Sequence, residues 1–461
     1  MKKVLGLLVL AGLAWAANLY VPGSYTTIQE AINAAHPSQT KSIAVTSLSR
    51  GTKEGMNWPL SGYDLQGSYY VPVASLPQTL SNFNTKAIIN KSPSYTLVGD
   101  VNGDGQNEIV FKSGNVIYIA DSLGNIKNTI NTSYYLSSLL DINSDGVLDI
   151  SVGTGLGDIG LGRGEINFYS ATGSTLWSFS KSVSYDGGIA PLYLLDGKLY
   201  VMNDAGYGRT PRGVSRVNIS SKQEEWFYSI GPHFWGGLPQ FSLYNDRIAL
   251  NSGTPHNGAT GNGYNGNGAT TDDGNLWHIV IDSSGNQIFT RKVNNANTDG
   301  SLVQRILPNG NIIALESHWF NPYWGTAKIH LLNPGGNEIA TRNRGLNVQL
   351  NAAFNSSVVV VGGQDGVIEV LSPNDLVVQS SKNIGTTIWI AGINDIDGDG
   401  SEEIIAYTPS KVYIYSMNLI EEWNYTSPSG EIRNVQITDI TGDGKMDIIV
   451  STTTSLFIIS Q

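Results

Sequence analysis

The chain has 461 residues, is 40% hydrophobic and 14% charged, carries a formal net charge of −11 and contains no cysteine. Such a chain buries a large core, which excludes a disordered protein, and its acidity without any offsetting basic run speaks against a nucleic-acid partner. The lack of cysteine removes disulfides, thiolate nucleophiles and cysteine-ligated zinc.

Met1-Lys2-Lys3, the apolar run Val4 to Leu13 and Ala14-Trp15-Ala16 read as a signal peptide over residues 1–16, cleaved before Ala17. The apolar run is too short to span roughly 30 Å of hydrocarbon. The expected location is therefore secreted, extracellular or cell-surface, with no membrane insertion after cleavage. Loss of Lys2 and Lys3 takes the charge from −11 to −13. Residues 17–65 read as an N-terminal extension. Within it, Val21 to Ala35 is a helix candidate, with Thr27 as cap and Glu30 three residues on. That stretch resembles the opening segment of secreted parallel β-helix proteins, and is expected to act as a plug or adhesive extension.

The chain's 53 glycines, its many Asn, Ser and Thr, and its Val/Ile/Tyr runs favour an all-β fold with tight turns, which is placed at residues 66–461. Four segments repeat one pattern, an acidic loop followed by an apolar strand. Their odd positions are Asp100, Asn102, Asp104, Gln106 and Glu108; Asp141, Asn143, Asp145, Val147 and Asp149; Asp395, Asp397, Asp399, Ser401 and Glu403; and Asp439, Thr441, Asp443, Lys445 and Asp447. Adjacent copies start 41 and 44 residues apart, the length of a four-stranded propeller blade. Aromatic pairs at Trp177/Phe179, Trp226/Tyr228 and Trp423/Tyr425 mark outer strands whose alternate residues pack together. Units beginning near 92, 136, 183, 231, 294, 343, 386 and 427 give a β-propeller of eight four-stranded blades, with seven as the alternative. The last unit is one strand short, and the expectation is that Tyr69 to Leu76 completes it, closing the ring with an N-terminal strand.

The loop spacing places oxygen donors at positions 1, 3 and 5, a backbone carbonyl at 7 and a carboxylate at 9, a hard-oxygen set suited to calcium, with about four ions expected. Position 9 falls between strands, unlike the position-12 glutamate that closes an EF-hand between helices. Glycine at position 6 permits the sharp turn. Thr441, standing where the third loop has Asp397, predicts the weakest site. Four ions would bring the mature charge from −13 to −5, so the acidity belongs largely to these loops.

These loops and their strands resemble the FG-GAP (integrin-type, VCBS-like) repeats of calcium-binding β-propellers, over residues 92–180 and 386–461. The central units fit by length and strand pattern only. Members of that group include adhesion proteins, lectin-like domains and some polysaccharide lyases, and the resemblance implies that the loops are structural.

With strands A to D running outward from the axis, the acidic loops are A–B connections. The long insertions Gly153–Gly164, Asn203–Gly213, Ser252–Gly274 and Glu316–Gly325 are then B–C connections on the opposite face. That face is expected to carry a ligand rim of Arg209, Arg212, His233, Trp235, His256, Tyr264, Asp272, Asp273, His318, Trp319, Tyr323 and Trp324, a mixture of aromatic, amide-rich and charged groups suited to sugar rings. The alternative for the Gly/Asn-rich part is a plain flexible loop. No spacing identifies a catalytic constellation. A binding or adhesion module for an extracellular glycan or surface protein is the leading expectation. A polysaccharide lyase or hydrolase, and a self-assembling subunit of a surface layer or filament, are the alternatives. The lack of any matching cofactor signature speaks against a quinone-dependent dehydrogenase.

Overall fold

The computed structural model describes residues 58–60, 62–154, 163–206, 211–234, 239–261, 270–293, 300–318 and 325–461, all within one compact unit, 49–461. The signal-peptide candidate at 1–16 and the helix candidate at Val21–Ala35 lie outside the described residues.

Among the described residues eight antiparallel sheets form a propeller, each built on four strands from an inner A to an outer D, with Ser252–Gly253 of the blade-4 B–C connection pairing as a short fifth strand beside strand A of blade 5. Blade 1 comprises Tyr95–Gly99, Glu108–Ser113, Val116–Ala120 and Ile126–Asn131. The inner strands of blades 2 to 8 are Tyr135–Leu140, Gly187–Leu195, Phe241–Tyr244, Gly300–Ile306, Leu350–Phe354, Trp389–Asn394 and Ile432–Thr438. Strands A and B are apolar on both sides because neighbouring blades cover both faces of each sheet; Ile109, Val110 and Phe111 are all fully buried. Outer strands alternate instead, as in Val378–Asn383, because only one of their faces is covered. The three aromatic pairs lie on D strands as expected, with Trp177 stacked on Phe179 and Trp423 on Tyr425.

Blade 8 is completed by an N-terminal strand, but not by the expected one. Its strand D is Asn84–Ile89, antiparallel to Leu456–Ser460 with Asn84 opposite Ser460 and Ile89 opposite Leu456. Tyr69 to Leu76 belongs to a strap that visits the inner strands in ring order. Trp58 exchanges backbone hydrogen bonds with Val98 of blade 1, and Leu139 of blade 2 donates to Pro59. Leu243 of blade 4 donates to Leu65, and Gln66 donates from Nε2 to Ile306 of blade 5. Phe354 of blade 6 donates to Ser68, and Ile393 of blade 7 donates to Tyr69 while accepting from Val71. Most of these partners lie toward the C-terminal ends of the inner strands, so the strap lines the hub on the side where the acidic loops emerge. Trp58 anchors it, its ring 5.4 Å from Tyr63 and 6.2 Å from Tyr69. From blade 5 the buried Arg305 reaches the same region, its Nε 2.8 Å from where a Cβ on Gly67 would stand.

Candidate metal centres and the opposite face

Each acidic loop is the A–B connection of its blade, and the four sit on adjacent blades 7, 8, 1 and 2. The position-1 aspartate turns inward and organises the backbone. Asp395 accepts from the N–H groups of Gly398 (2.8 Å), Asp399 (3.1 Å) and Gly400 (3.1 Å); Asp439 accepts from Gly442 (2.6 Å), Asp443 (3.2 Å) and Gly444 (2.9 Å). Asp100 and Asp141 do the same in loops 1 and 2. The position-5 aspartates accept from the N–H of position 7: Asp104 from Gln106, Asp145 from Val147, Asp399 from Ser401 and Asp443 from Lys445.

The position-9 carboxylate starts strand B and is buried in every loop; Glu108, Asp149, Glu403 and Asp447 are 1–4% exposed. Each accepts the N–H of position 2, from Val101, Ile142, Ile396 and Ile440 at 3.0–3.1 Å. These hydrogen bonds do not offset burial beside further carboxylates. Burial, aided by Asp104 and Asp100, pushes Glu108 up to about 7. Burial with Asp145 and Asp141 does the same to Asp149, to about 7. Glu403 reaches about 8 through burial and the charges of Asp397, Glu422 and Asp395. Burial carries Asp447 to about 6 against opposing hydrogen bonds from Ser460, Thr441 and Ile440.

An inward acid with a raised pKa among other acids fits a cation. In the blade-7 loop, oxygens of Asp395, Asp397 and Glu403 lie within 4.8 Å of one another. In blade 1, Asn102 donates from its amide to Glu108 Oε1 (2.6 Å) and Asp104 Oδ2 (3.2 Å), so a partial positive charge already sits among these carboxylates. In blade 8, Thr441 donates from Oγ1 to Asp447 Oδ2 (3.2 Å). The carboxylate, hydroxyl and amide oxygens of these loops are hard ligands, the chemistry calcium takes.

The B–C connections of blades 2 to 5 are long, as the sequence predicts, but the described rim residues are mostly internal. Arg212 is 1% exposed. It donates to the carbonyls of Ala205 (2.6 Å), Gly231 (2.6 Å) and Gly206 (2.7 Å) and to Asp273 Oδ2 (3.0 Å). Asp273, also buried, accepts the N–H groups of Asn257 and Gly258. His233 is buried with its Nδ1 2.9 Å from Asp204 Oδ2, an acid the sequence reading missed and for which no sequence signal exists. His318 is fully buried, its Nε2 2.9 Å from Glu316 Oε1, while His330 Nε2 lies 3.0 Å from Glu316 Oε2. Burial alone would raise Glu316, but the hydrogen bonds and charges of His318 and His330 hold it well below the usual carboxylate range. Burial pushes neighbouring His278 down to about 3, with His330 adding to the shift. These four predicted residues brace the loops internally instead of forming an exposed rim, because irregular backbone brings carbonyls inside that need donors. His256 is exposed and Asp272 half-buried, the latter accepting from Gly274 N–H and Asn275 Nδ2. Arg209, Trp235, Tyr264, Trp319, Tyr323 and Trp324 lie outside the described residues.

A family model described as an FG-GAP-like repeat matches residues 395–450, the blade-7 and blade-8 loops with the strands between them. No curated protein matches the sequence. Among solved structures, the quinohemoprotein alcohol dehydrogenase of Comamonas testosteroni is similar at TM-score 0.60 and 10% identity, over 94% of this chain and 84% of that one. A europium-containing methanol dehydrogenase gives 0.58 at 12%, over 89% and 99%. BamB of Moraxella catarrhalis gives 0.51 at 12%, over 84% and 99%. At such identities the likeness concerns the fold alone. The chain is an eight-bladed β-propeller that carries an FG-GAP-like repeat at residues 395–450.

Proposed function

We propose that this propeller is an exported, calcium-stabilised binding module, its four acidic loops rigidifying one face while the long B–C connections of the other meet an extracellular glycan or surface protein. The observation that carries the reading is the recurrence, on four adjacent blades, of a buried position-9 carboxylate beside the acids of its own loop. Glu108, Asp149, Glu403 and Asp447 would hold the ion from the strand side and the position-1 and position-5 aspartates from the loop side. The ion supplies the positive charge that lets these acids stay ionised when buried. Arg212, Asp273, His233 and His318 engage protein partners, which favours a shaped, braced binding face over acid–base chemistry by these groups.

The test is incubation of the pure protein with neutral and acidic polysaccharides, in calcium and in chelator, reading both retention on the glycan and soluble products by mass spectrometry. Calcium-dependent retention of intact glycan is expected. Calcium-dependent release of unsaturated or reducing oligosaccharides would replace the binding reading with a lyase or hydrolase.

A further inference from the structure

The four loops are stitched to one another by a rule that one junction breaks. Between blades 1 and 2, the N–H of Leu148, position 8 of its loop, donates to the position-1 carbonyl of Asp100 (3.1 Å). Between blades 8 and 1, the position-8 side chain of Asn107 donates from Nδ2 to the position-1 carbonyl of Asp439 (2.9 Å). Between blades 7 and 8 the strap stands in the gap. Met446, position 8 of the blade-8 loop, donates its N–H to Ser75 Oγ (3.0 Å), and Ser75 N–H donates to the position-1 carbonyl of Asp395 (2.9 Å). Gln78 doubles the link, its N–H donating to Asp397 (2.8 Å) and its Nε2 to the carbonyls of Ile396 (2.6 Å) and Met446 (2.9 Å).

Position 4 follows the same geometry. In each loop that has a neighbour on its far side this residue is glycine at positive φ, and a Cβ there would strike that neighbour. For Gly103 it would lie 2.9 Å from Val147, for Gly442 it would meet Gln106 Oε1, and for Gly398 it would lie 2.6 Å from the carbonyl oxygen of Ser75. The blade-2 loop faces blade 3, which has no acidic loop, and there position 4 is Ser144, at φ 62°. The strap therefore occupies at the 7–8 junction the place that a neighbouring loop occupies at the other two. Eight residues after Leu76 the same segment becomes Asn84–Ile89, the strand that closes the ring.

We propose that Ser75 and Gln78 are positioning residues that couple cation occupancy of the blade-7 and blade-8 loops to docking of the strap and of the closing strand. This rests on the calcium reading above. The five bonds that join Ser75 and Gln78 to the loops end on backbone of residues 395–397 and 446, so a loop ordered by its ion presents these carbonyls and the Met446 N–H fixed, and a docked strap pre-orders the loops for the ion.

The test uses the full chain. Calcium is titrated into chelator-treated protein by calorimetry, and hydrogen exchange of residues 69–89 is followed with and without calcium. Calcium is expected to slow exchange across the strap and Asn84–Ile89 by about tenfold or more. A Ser75→Ala/Gln78→Ala double variant is expected to lose about tenfold in affinity at two sites while the blade-1 and blade-2 sites hold. Ser75→Thr, which keeps the hydroxyl, restores the Ser75 share of the loss when placed on the Gln78→Ala background. Calcium uptake at these loops with unchanged exchange at 69–89 in the wild-type chain would overturn the coupling and leave the metal reading intact. No calcium uptake would overturn both.

Discussion

Replacing Arg212 by methionine separates a ligand-binding arginine from an internal brace. The side chain is 0% exposed and Asp273 3%, and the guanidinium also donates to three carbonyls drawn from two connections of blade 3. Removing one partner of such a pair leaves a buried carboxylate with two N–H donors and no counter-charge, and three carbonyls without this donor. The expected loss is about 3–5 kcal/mol of folding stability, since desolvation of the remaining charge is no longer offset. Asp273→Asn alone should also destabilise. The Arg212→Met/Asp273→Asn double variant should cost less than the sum of the singles by about 1.5 kcal/mol or more, because no lone charge is left behind. Urea unfolding monitored by tryptophan fluorescence gives all four corners of the cycle. An Arg212→Met protein within about 0.5 kcal/mol of wild type, or a cycle without coupling, would refute the assignment of Arg212 as a brace.

The position-9 acids set a pH dependence whose sign depends on calcium. In chelator, Glu108, Asp149, Glu403 and Asp447 have folded pKa values of about 6 to 8, above those of an unfolded chain. The folded state then binds more protons, so the contribution is full below about pH 4 and is lost as pH rises through 6 to 8. Unfolding at pH 5, 6.5 and 8 should show the chelated protein losing stability upward through this window. In calcium the slope should reverse, because protons compete with the ion for the same oxygens. Glu403→Gln should flatten the chelated slope near pH 8 and remove one calcium site in calorimetry. Gly398→Ala should destabilise by about 1–3 kcal/mol in a melt, through both its φ of 75° and the collision with Ser75, whereas Ser144→Gly should cost less than about 0.5 kcal/mol.

Repetition made the ring legible in the sequence. The expected blade starts at 92, 136 and 386 fall within three residues of inner strands that begin at Tyr95, Tyr135 and Trp389. Blade 4 drifts, from 231 to Phe241, because no acidic loop marks it and the chain before the strand is held elsewhere, Gly231 N–H donating to Thr271 Oγ1, His233 N–H to the carbonyl of Gly253 and Phe234 N–H to Asp204 Oδ2. The closing strand was misread for a physical reason. Tyr69-Tyr-Val-Pro-Val has strand composition but spends its hydrogen bonds on the end of one inner strand, at Ile393 and Asn394 of blade 7, whereas Asn84–Ile89 lies on the rim, half in solvent, and shows little apolar periodicity. The acidic loops could be located from spacing alone, and the glycine-or-serine choice at position 4 was visible in the same segments. Its meaning depends on which blades are neighbours, which only the ring supplies. Arg212, Asp273, His233 and His318 were placed on the surface because they lie in long connections. The buried carbonyls of Ala205 and Gly231 explain why such connections need charged groups inside.

The most direct test of the proposed calcium centres is the number of ions held per chain, by equilibrium dialysis with elemental analysis on wild type and on Asp100→Asn, Asp141→Asn, Asp395→Asn and Asp439→Asn. The account predicts about four ions, one fewer in each variant, with the blade-8 ion leaving first as free calcium falls, because position 3 there is Thr441, whose hydroxyl is a weaker ligand than the Asp397 carboxylate or the Asn102 and Asn143 amide oxygens. A wild-type chain that retains none, with a melting temperature indifferent to calcium and chelator, would contradict it.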